Sequence, residues 1–271
     1  MAKNQIMQMI FFTVLVGVAL VSLGEKVAGV TKIFDQCASI IYKMLDIVML
    51  YSPIGVLALM ANTTAVSGPK LFGVLAKFVF TDWVGCLLIW FFFSGIVWLY
   101  TKVNYLEMCK SMIPIWVNTI ATNSSAGTIP ITLNVTTERL KVPMSIASFS
   151  IPLGATINLT GAALYKTILA FFVAEIYGLQ LTIDQILMVI IISTIMSIAA
   201  PGIPGGGIVT GAIFLNLLGL PMDLMGPIAG MYRLIDMSHT TVNVSGDVLG
   251  TMLVAKNENI WTGEDFNKTL V

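Results

Sequence analysis

The sequence predicts an all-α membrane protein with two inverted re-entrant helical hairpins and two interrupted helices. Three observations carry this. Hydrophobic residues make up 57% of the 271 positions and charged ones only 10%, far below the roughly one quarter charged in a soluble domain. A short polar motif occurs twice, as Thr156-Ile157-Asn158-Leu159-Thr160-Gly161 and as Thr241-Val242-Asn243-Val244-Ser245-Gly246. Each copy follows an apolar segment broken by small residues, Asn123 to Thr128 and Gly202 to Gly207. Paired interrupted segments in an apolar chain are the mark of a transporter built from repeats. Asn and Gly at membrane depth fit where irregular backbone lines a protein-enclosed cavity.

The elements follow in order. Ile6 to Leu23 is apolar and about 18 residues long, enough to span and too long for a cleaved signal core. Gly24-Glu25-Lys26 breaks it. A second helix is expected from Phe34 to Asn62, kinked at Pro53, and a third from Gly73 to Val103 after the Ser67-Gly68-Pro69 loop. Glu107 to Ile120 is amphipathic, Thr122 to Pro130 reads as a polar loop, and Ile131 to Thr137 is a short second arm. Neither arm reaches the roughly 20 residues of a span, so a hairpin dipping into the membrane is expected. Ser145 to Tyr177 is too long for one straight span, with breaks expected at Pro152-Leu153-Gly154 and at Asn158 to Gly161. Ile183 to Ile198 and Ile208 to Leu220 form the arms of a second hairpin, followed by a last helix from Leu224 to Ala255. This divides the chain into connecting spans (1–104), a transport core (105–256: hairpins 107–137 and 182–222, interrupted helix 143–178, last helix 224–256) and a loosely ordered polar tail (257–271).

With hairpins entering from opposite faces, Lys26, Lys32, Lys102, Lys110, Arg139, Lys141, Lys256 and Lys268 share one side, and Lys3 and Lys70 the other. The positive-inside rule makes the first side, and the C-terminus, cytoplasmic. Zero net charge offers nothing to nucleic acid. Cys37, Cys86 and Cys109 have no metal-ligand spacing. The sequence holds no nucleophile–base pair and no nucleotide loop, so no enzyme and no organic cofactor are expected.

A broken helix frees carbonyls at one end, which suit Na⁺, and N–H groups at the other, which suit a carboxylate. Asp247 lies one turn beyond Asn243 and can reach the same backbone, making a Na⁺ site plausible; the alternative is a capping or lysine-paired Asp247. Asp236 can receive a substrate ammonium, with Arg233 or His239 touching an acidic group; the alternative is a self-neutralising Arg233–Asp236 pair. His239 can carry a proton or simply be hydrogen-bonded. Lys166 can snorkel outward or face the cavity as a built-in cation. Lys43, Asp46, Lys77 and Asp82 read as helix-pairing or interface residues.

At Tyr51-Ser52-Pro53-Ile54-Gly55, Ser124-Ser125-Ala126-Gly127-Thr128, Pro152 to Asn158, Gly202-Ile203-Pro204-Gly205, and Asp236-Met237 with Thr240 and Asn243 to Asp247, the chain resembles the dicarboxylate/amino acid:cation symporter family, which includes glutamate transporters. The resemblance implies a homotrimer whose transport domains move like elevators in the plasma membrane of a prokaryote. It implies one Na⁺ site at Gly154, Asn158 and Asn243 with the Asp247 carboxylate, and a second between Thr156 and Ser197, Ile198 and Ala200. Substrate contacts are implied at Ser125, Gly207, Asp236, Thr240 and Asn243.

The departures matter too. Members have eight spans, and the first three are missing, which suggests a truncated frame or internal start. Thr160 stands where a third sodium site has aspartate, Leu159 where the second has sulfur, and Ala162 where a threonine meets the substrate side chain. Neither Asn123 nor His239 is the arginine of acidic-substrate members. The expectation is therefore Na⁺-coupled amino acid symport, with a neutral substrate ahead of an acidic one held by Arg233. The rivals are an ion channel and a non-transporting fragment.

Overall fold

The computed structural model describes residues 6–51, 70–198 and 204–268, with positions 54, 55, 57, 58, 61, 65, 68, 200 and 202. It is helical throughout, with no strand among the described residues. The expected kink at Pro53 lies outside them. The chain divides into two units, residues 1–55 and 56–271.

The first unit holds α1 (Ile6–Leu23) and α2 (Ala28–Leu50), joined by one 3₁₀ turn at Gly24–Val27. The glycine breaks the helix at a left-handed Gly24, φ +54°, but helix resumes at once rather than at Phe34.

The second unit begins with α3 (Lys70–Thr101). Its buried positions, Leu75, Phe78, Asp82, Cys86, Ser94, Val97 and Thr101, recur one turn apart, or two turns between Cys86 and Ser94, the period of one helix face. Its opposite face is openly apolar, with Phe80, Leu88, Phe92 and Leu99 each at least 65% exposed. Such a face suits lipid and not water. Among the described residues, two segments, Phe72–Thr101 and Met144–Ile176, are long and apolar enough to cross a membrane.

Two helix–turn–helix hairpins follow the expected order. α4 (Tyr105–Thr122) and α5 (Ser125–Asn134) are joined by Asn123 and Ser124 alone. The expected polar loop is thus mostly helix. Asn123 takes the left-handed conformation that closes α4, and the Ser124 hydroxyl accepts the Gly127 N–H at 3.0 Å, capping α5. Pro130 is the sixth of the ten residues of α5, past the first turn, so the helix forgoes one backbone bond there. α5 ends in a π turn, Val135–Arg139.

α6 (Met144–Ile157) and α7 (Thr160–Ile176) meet at a break of two residues, Asn158 and Leu159. Pro152-Leu153-Gly154 is inside α6, so one of the two expected interruptions there is absent. The second hairpin is α8 (Ile183–Ile198) and α9 (Gly206–Leu217).

The last long helix, α10 (Met225–Asn257), is continuous through Asn243. The second interrupted helix is therefore not formed: Val242, Val244 and Val248 are buried along with the polar motif, and packing on α3, α4, α6 and α7 holds the rod straight. α10 is stitched to its neighbours by side chains. Trp116 Nε1 donates to Ser245 Oγ at 3.0 Å, Thr119 and Thr241 share a hydroxyl bond at 2.9 Å, and Trp83 Nε1 donates to the Leu234 carbonyl at 2.9 Å.

The described part of the tail, as far as Lys268, is also ordered, against expectation. Trp261 is 2% exposed and donates to the Leu140 carbonyl at 3.1 Å. A short α11 (Gly263–Lys268) follows. Asn267 accepts the Asn104 N–H at 2.8 Å and donates to the Lys102 carbonyl at 3.1 Å. Burying an indole outweighs the polar character of the rest of the segment.

Candidate functional site

The break between α6 and α7 is held open by one side chain. Asn158 leaves helical geometry at φ −93°, ψ 79°. Its amide nitrogen donates to the Asn243 carbonyl at 3.1 Å and to Asp247 Oδ1 at 2.8 Å, and its oxygen accepts from Thr160 Oγ1 at 2.7 Å. Below it the freed Gly161 N–H at the start of α7 donates to Asn243 Oδ1 at 2.7 Å. Only glycine permits that approach, because a Cβ at 161 would lie 2.6 Å from the His239 Cα. Gly154 is equally constrained: a Cβ there would lie 2.6 Å from Asp247 Cγ.

Gly154, Asn158, Asn243 and Asp247 are therefore brought together. Two oxygens with cation-ligand chemistry, the Asn243 carbonyl and the Asp247 carboxylate, both face the Asn158 amide. That amide presents the positive end of its dipole to them. The donor set is hard oxygen with one carboxylate, which fits an alkali cation.

The hairpin tips meet beside this break. Ala126 N–H and Ser124 Oγ both point at the Gly202 carbonyl, at 3.5 and 3.4 Å. Between the tips and α10 lies a cavity of about 30 Å³, walled by Ser125, Gly207, Asp236, His239, Thr240 and Asn243 among others. That is room for a water or two, so the tips are closed down on one another.

Asp236 holds the second tip. Its Oδ2 accepts the Gly205 N–H at 3.1 Å and its Oδ1 accepts the Tyr232 hydroxyl at 3.4 Å. Gly207 sets its bare Cα against that same hydroxyl. Asn123 Oδ1 and His239 Nδ1, both on the cavity wall, are buried with no hydrogen-bond partner. Buried polar atoms are nearly always partnered, so these two leave hydrogen-bonding capacity unused.

The ionisable groups are sorted differently from either sequence reading. Arg233 is exposed, donates to the Ala121 carbonyl at 3.2 Å, and makes no ion pair with Asp236. It does not line the cavity. His239 points its Nε2 at Asp82 Oδ1, 2.8 Å away, while Ser238 donates to Asp82 Oδ2 at 3.1 Å. Asp82 is wholly buried. It fixes the ring through Nε2, and Nδ1 is left without a hydrogen-bond partner. Asp82, Cys86 and His239 place three ligand-type atoms within 4.8 Å, and these hydrogen bonds already account for the cluster.

Lys166 is fully buried rather than snorkelling. The second implied sodium set comes from α6 and α8, two helices in contact. Thr156 Oγ1 donates to the Leu153 carbonyl at 2.7 Å, Ser197 Oγ to the Ser193 carbonyl at 2.7 Å, Ile198 is exposed, and the Ala200 N–H donates to the Ser197 carbonyl at 3.2 Å.

Sequence reasoning undervalued Asp82 and missed Tyr232. Both carried a signal. Phe78, Asp82 and Cys86 lie four apart on one stripe of an apolar span, where an acid is costly unless partnered. Tyr232 sits one turn before Asp236 on the same face.

A wider cavity of about 720 Å³ opens beside α3, α6 and α10, with Asn158, Thr160 and Asp247 on its wall.

A family model described as the sodium:dicarboxylate symporter family matches residues 1–257. The proton/glutamate-aspartate symporter of Bacillus subtilis is 31% identical over 98% of this chain and 64% of its own length. That of Escherichia coli is 32% identical over 96% and 59%, and the excitatory amino acid transporter of Caenorhabditis elegans 30% over 92% and 50%. The chain thus spans between half and two thirds of these relatives.

Proposed function

Given that this chain belongs to the sodium:dicarboxylate symporter family, a family of membrane transporters and not enzymes, we propose that it binds an amino acid between its two hairpin tips and couples that binding to Na⁺. The supporting observation is the cavity wall. It sets a buried carboxylate, Asp236, beside two buried and unpartnered polar atoms, Asn123 Oδ1 and His239 Nδ1. A zwitterion supplies what each lacks: an ammonium for Asp236 and hydrogen-bonding groups for the other two.

Entry of the substrate requires the second tip to swing away, since the cavity holds only about 30 Å³. Asp236 ties that tip shut through Gly205 N–H. A substrate ammonium competes for the same carboxylate and so loosens the tie as it binds. Na⁺ at Gly154, Asn158, Asn243 and Asp247 would displace the Asn158 amide and fix the break from which Gly161 reaches Asn243. Each ligand then prepares the other's site, and the linkage is reciprocal.

A neutral side chain fits better than an acidic one. No arginine lines the cavity, and Arg233 faces elsewhere, so the bidentate fork that holds a second carboxylate is lacking. The relatives' printed substrates, glutamate and aspartate, favour the acidic alternative, for which His239 would be the contact. In the full assembly, the hairpins, α7 and α10 would move as one transport domain within a homotrimer of a prokaryotic plasma membrane. Its C-terminus would be cytoplasmic.

Equilibrium binding of radiolabelled serine and aspartate to the chain in lipid nanodiscs, in Na⁺ and in choline, tests this. Binding at least several-fold tighter in Na⁺ is expected, with serine ahead of aspartate. Equal affinity in the two salts would sink the coupling, and tighter aspartate binding would reverse the substrate preference.

A further inference from the structure

Lys166 is the charged group that the proposed symport does not use. It sits in the middle of α7 with 0% exposure, flanked by Tyr165, Leu169 and Ala170, which are equally buried. Its Nζ donates to two neutral oxygens, the Ala162 carbonyl and Ser197 Oγ, each at 3.2 Å. Among the described residues no carboxylate comes within ion-pair distance of it. A buried ammonium without a counter-charge is one of the most costly groups a membrane helix can carry.

Its position gives the reason. Ala162 lines the cavity between the hairpin tips, and so does Ala200, three residues beyond Ser197. Ser197 closes the first arm of the second hairpin. The ammonium therefore pins that hairpin to α7 at the edge of the cavity. One turn away, the Thr167 and Ser193 hydroxyls pair at 3.2 Å across the same two helices. Joining a carbonyl on one element to a hydroxyl on another is what a bound alkali ion does. A lysine head is a compact point charge that makes the same neutral-oxygen contacts.

We propose that the Lys166 ammonium is a tethered cation standing in place of one alkali ion at the junction of α7 and the second hairpin. Ser197 then serves the lysine and not Na⁺, which agrees with its hydroxyl and carbonyl being occupied while Thr156 bonds within its own helix. The charge travels with the protein instead of being drawn from solution. The hairpin closes with one fewer dissolved ion than a neutral residue at 166 would require. This rests on the cation-coupled reading of the site.

The test is the thermal stability of the full chain in nanodiscs against the logarithm of Na⁺ concentration, without amino acid. The slope counts the ions taken up by the folded state. Lys166→Gln and Lys166→Met are expected to steepen it by one ion relative to the unsubstituted chain, and Lys166→Arg to leave it unchanged. Neutral variants that fold only in high Na⁺ would support the proposal equally. A slope identical to that of the unsubstituted chain in both neutral variants would overturn it, as would neutral variants that fail to fold at every Na⁺ concentration. Because the readout uses sodium alone, failure of amino acid binding would sink the symport reading and leave the lysine to be judged by its slope.

Discussion

Replacing Gly154 with alanine tests the proposed cation site apart from the rest of the fold. The added methyl would lie 2.6 Å from Asp247 Cγ and 3.0 Å from its Cβ, against carbon contacts of about 3.5 Å or more at rest. The helix backbone of α6 cannot retreat without losing its own bonds, so the carboxylate must turn aside. In turning it gives up the 2.8 Å bond from the Asn158 amide and its aim at the break. Because Na⁺ itself displaces that amide, the cost to binding is the carboxylate's turn away from the cation; a contact to a charged group contributes about 1.5–3 kcal/mol, so Na⁺ affinity should fall roughly 10- to 150-fold. Fold stability should suffer less, because alanine is a better helix former than glycine by about 1 kcal/mol. Gly95→Ala is the matched control, since a Cβ on that α3 glycine meets nothing within 4 Å. The assay is a sodium titration of thermal stability in nanodiscs. An unaltered sodium midpoint in Gly154→Ala would refute the placement of the cation beside Asp247.

Asp236→Asn should abolish amino acid binding while shifting the melting temperature by only a few degrees, because the amide oxygen can still accept from Gly205 or Tyr232; retained binding would show that Asp236 serves only the hairpin tip. Asp82→Ala removes the acceptor for His239 and Ser238 and leaves both buried without it, so a loss of about 3–5 kcal/mol in stability is expected, read by denaturant titration; a change under about 0.5 kcal/mol would mean the cluster is hydrated instead. Trp261→Ala should release the tail at a cost of about 3–5 kcal/mol and expose the chain beyond Lys256 to limited proteolysis, whereas an unchanged cleavage pattern would argue against docking.

What could be read from the residues, and what could not, divides along physical lines. The motif Asn158 to Gly161 announced a break because Asn and Gly weaken a helix locally, and the helix does part there. The same motif at Asn243 to Gly246 did not part. Its neighbours on α10 are buried valines, and packing from several helices decides the outcome where local propensity is nearly balanced. The first hairpin's turn was overestimated because Ser125 to Pro130 looks like loop composition. A serine cap is equally the signature of a helix start, and α5 runs on through Pro130 at its sixth position. Asp236, Thr240, Asn243 and Asp247 were legible as one face because they recur at helical spacing. Asp82 was harder, since its partner His239 lies 157 positions away and no spacing rule reaches that far. The docking of Trp261 was hidden in the same way.

The unbroken course of α10 has a mechanical implication. Asp236 and Asp247 are eleven residues apart, three turns, so they stand about 16 Å from each other along one axle and point within roughly 20° of the same bearing. An axle transmits torque without slack. A cation bound at the Asp247 end, as proposed, would turn the Asp236 end with it, and no relay of intermediate side chains would be needed for the two ends to feel one another.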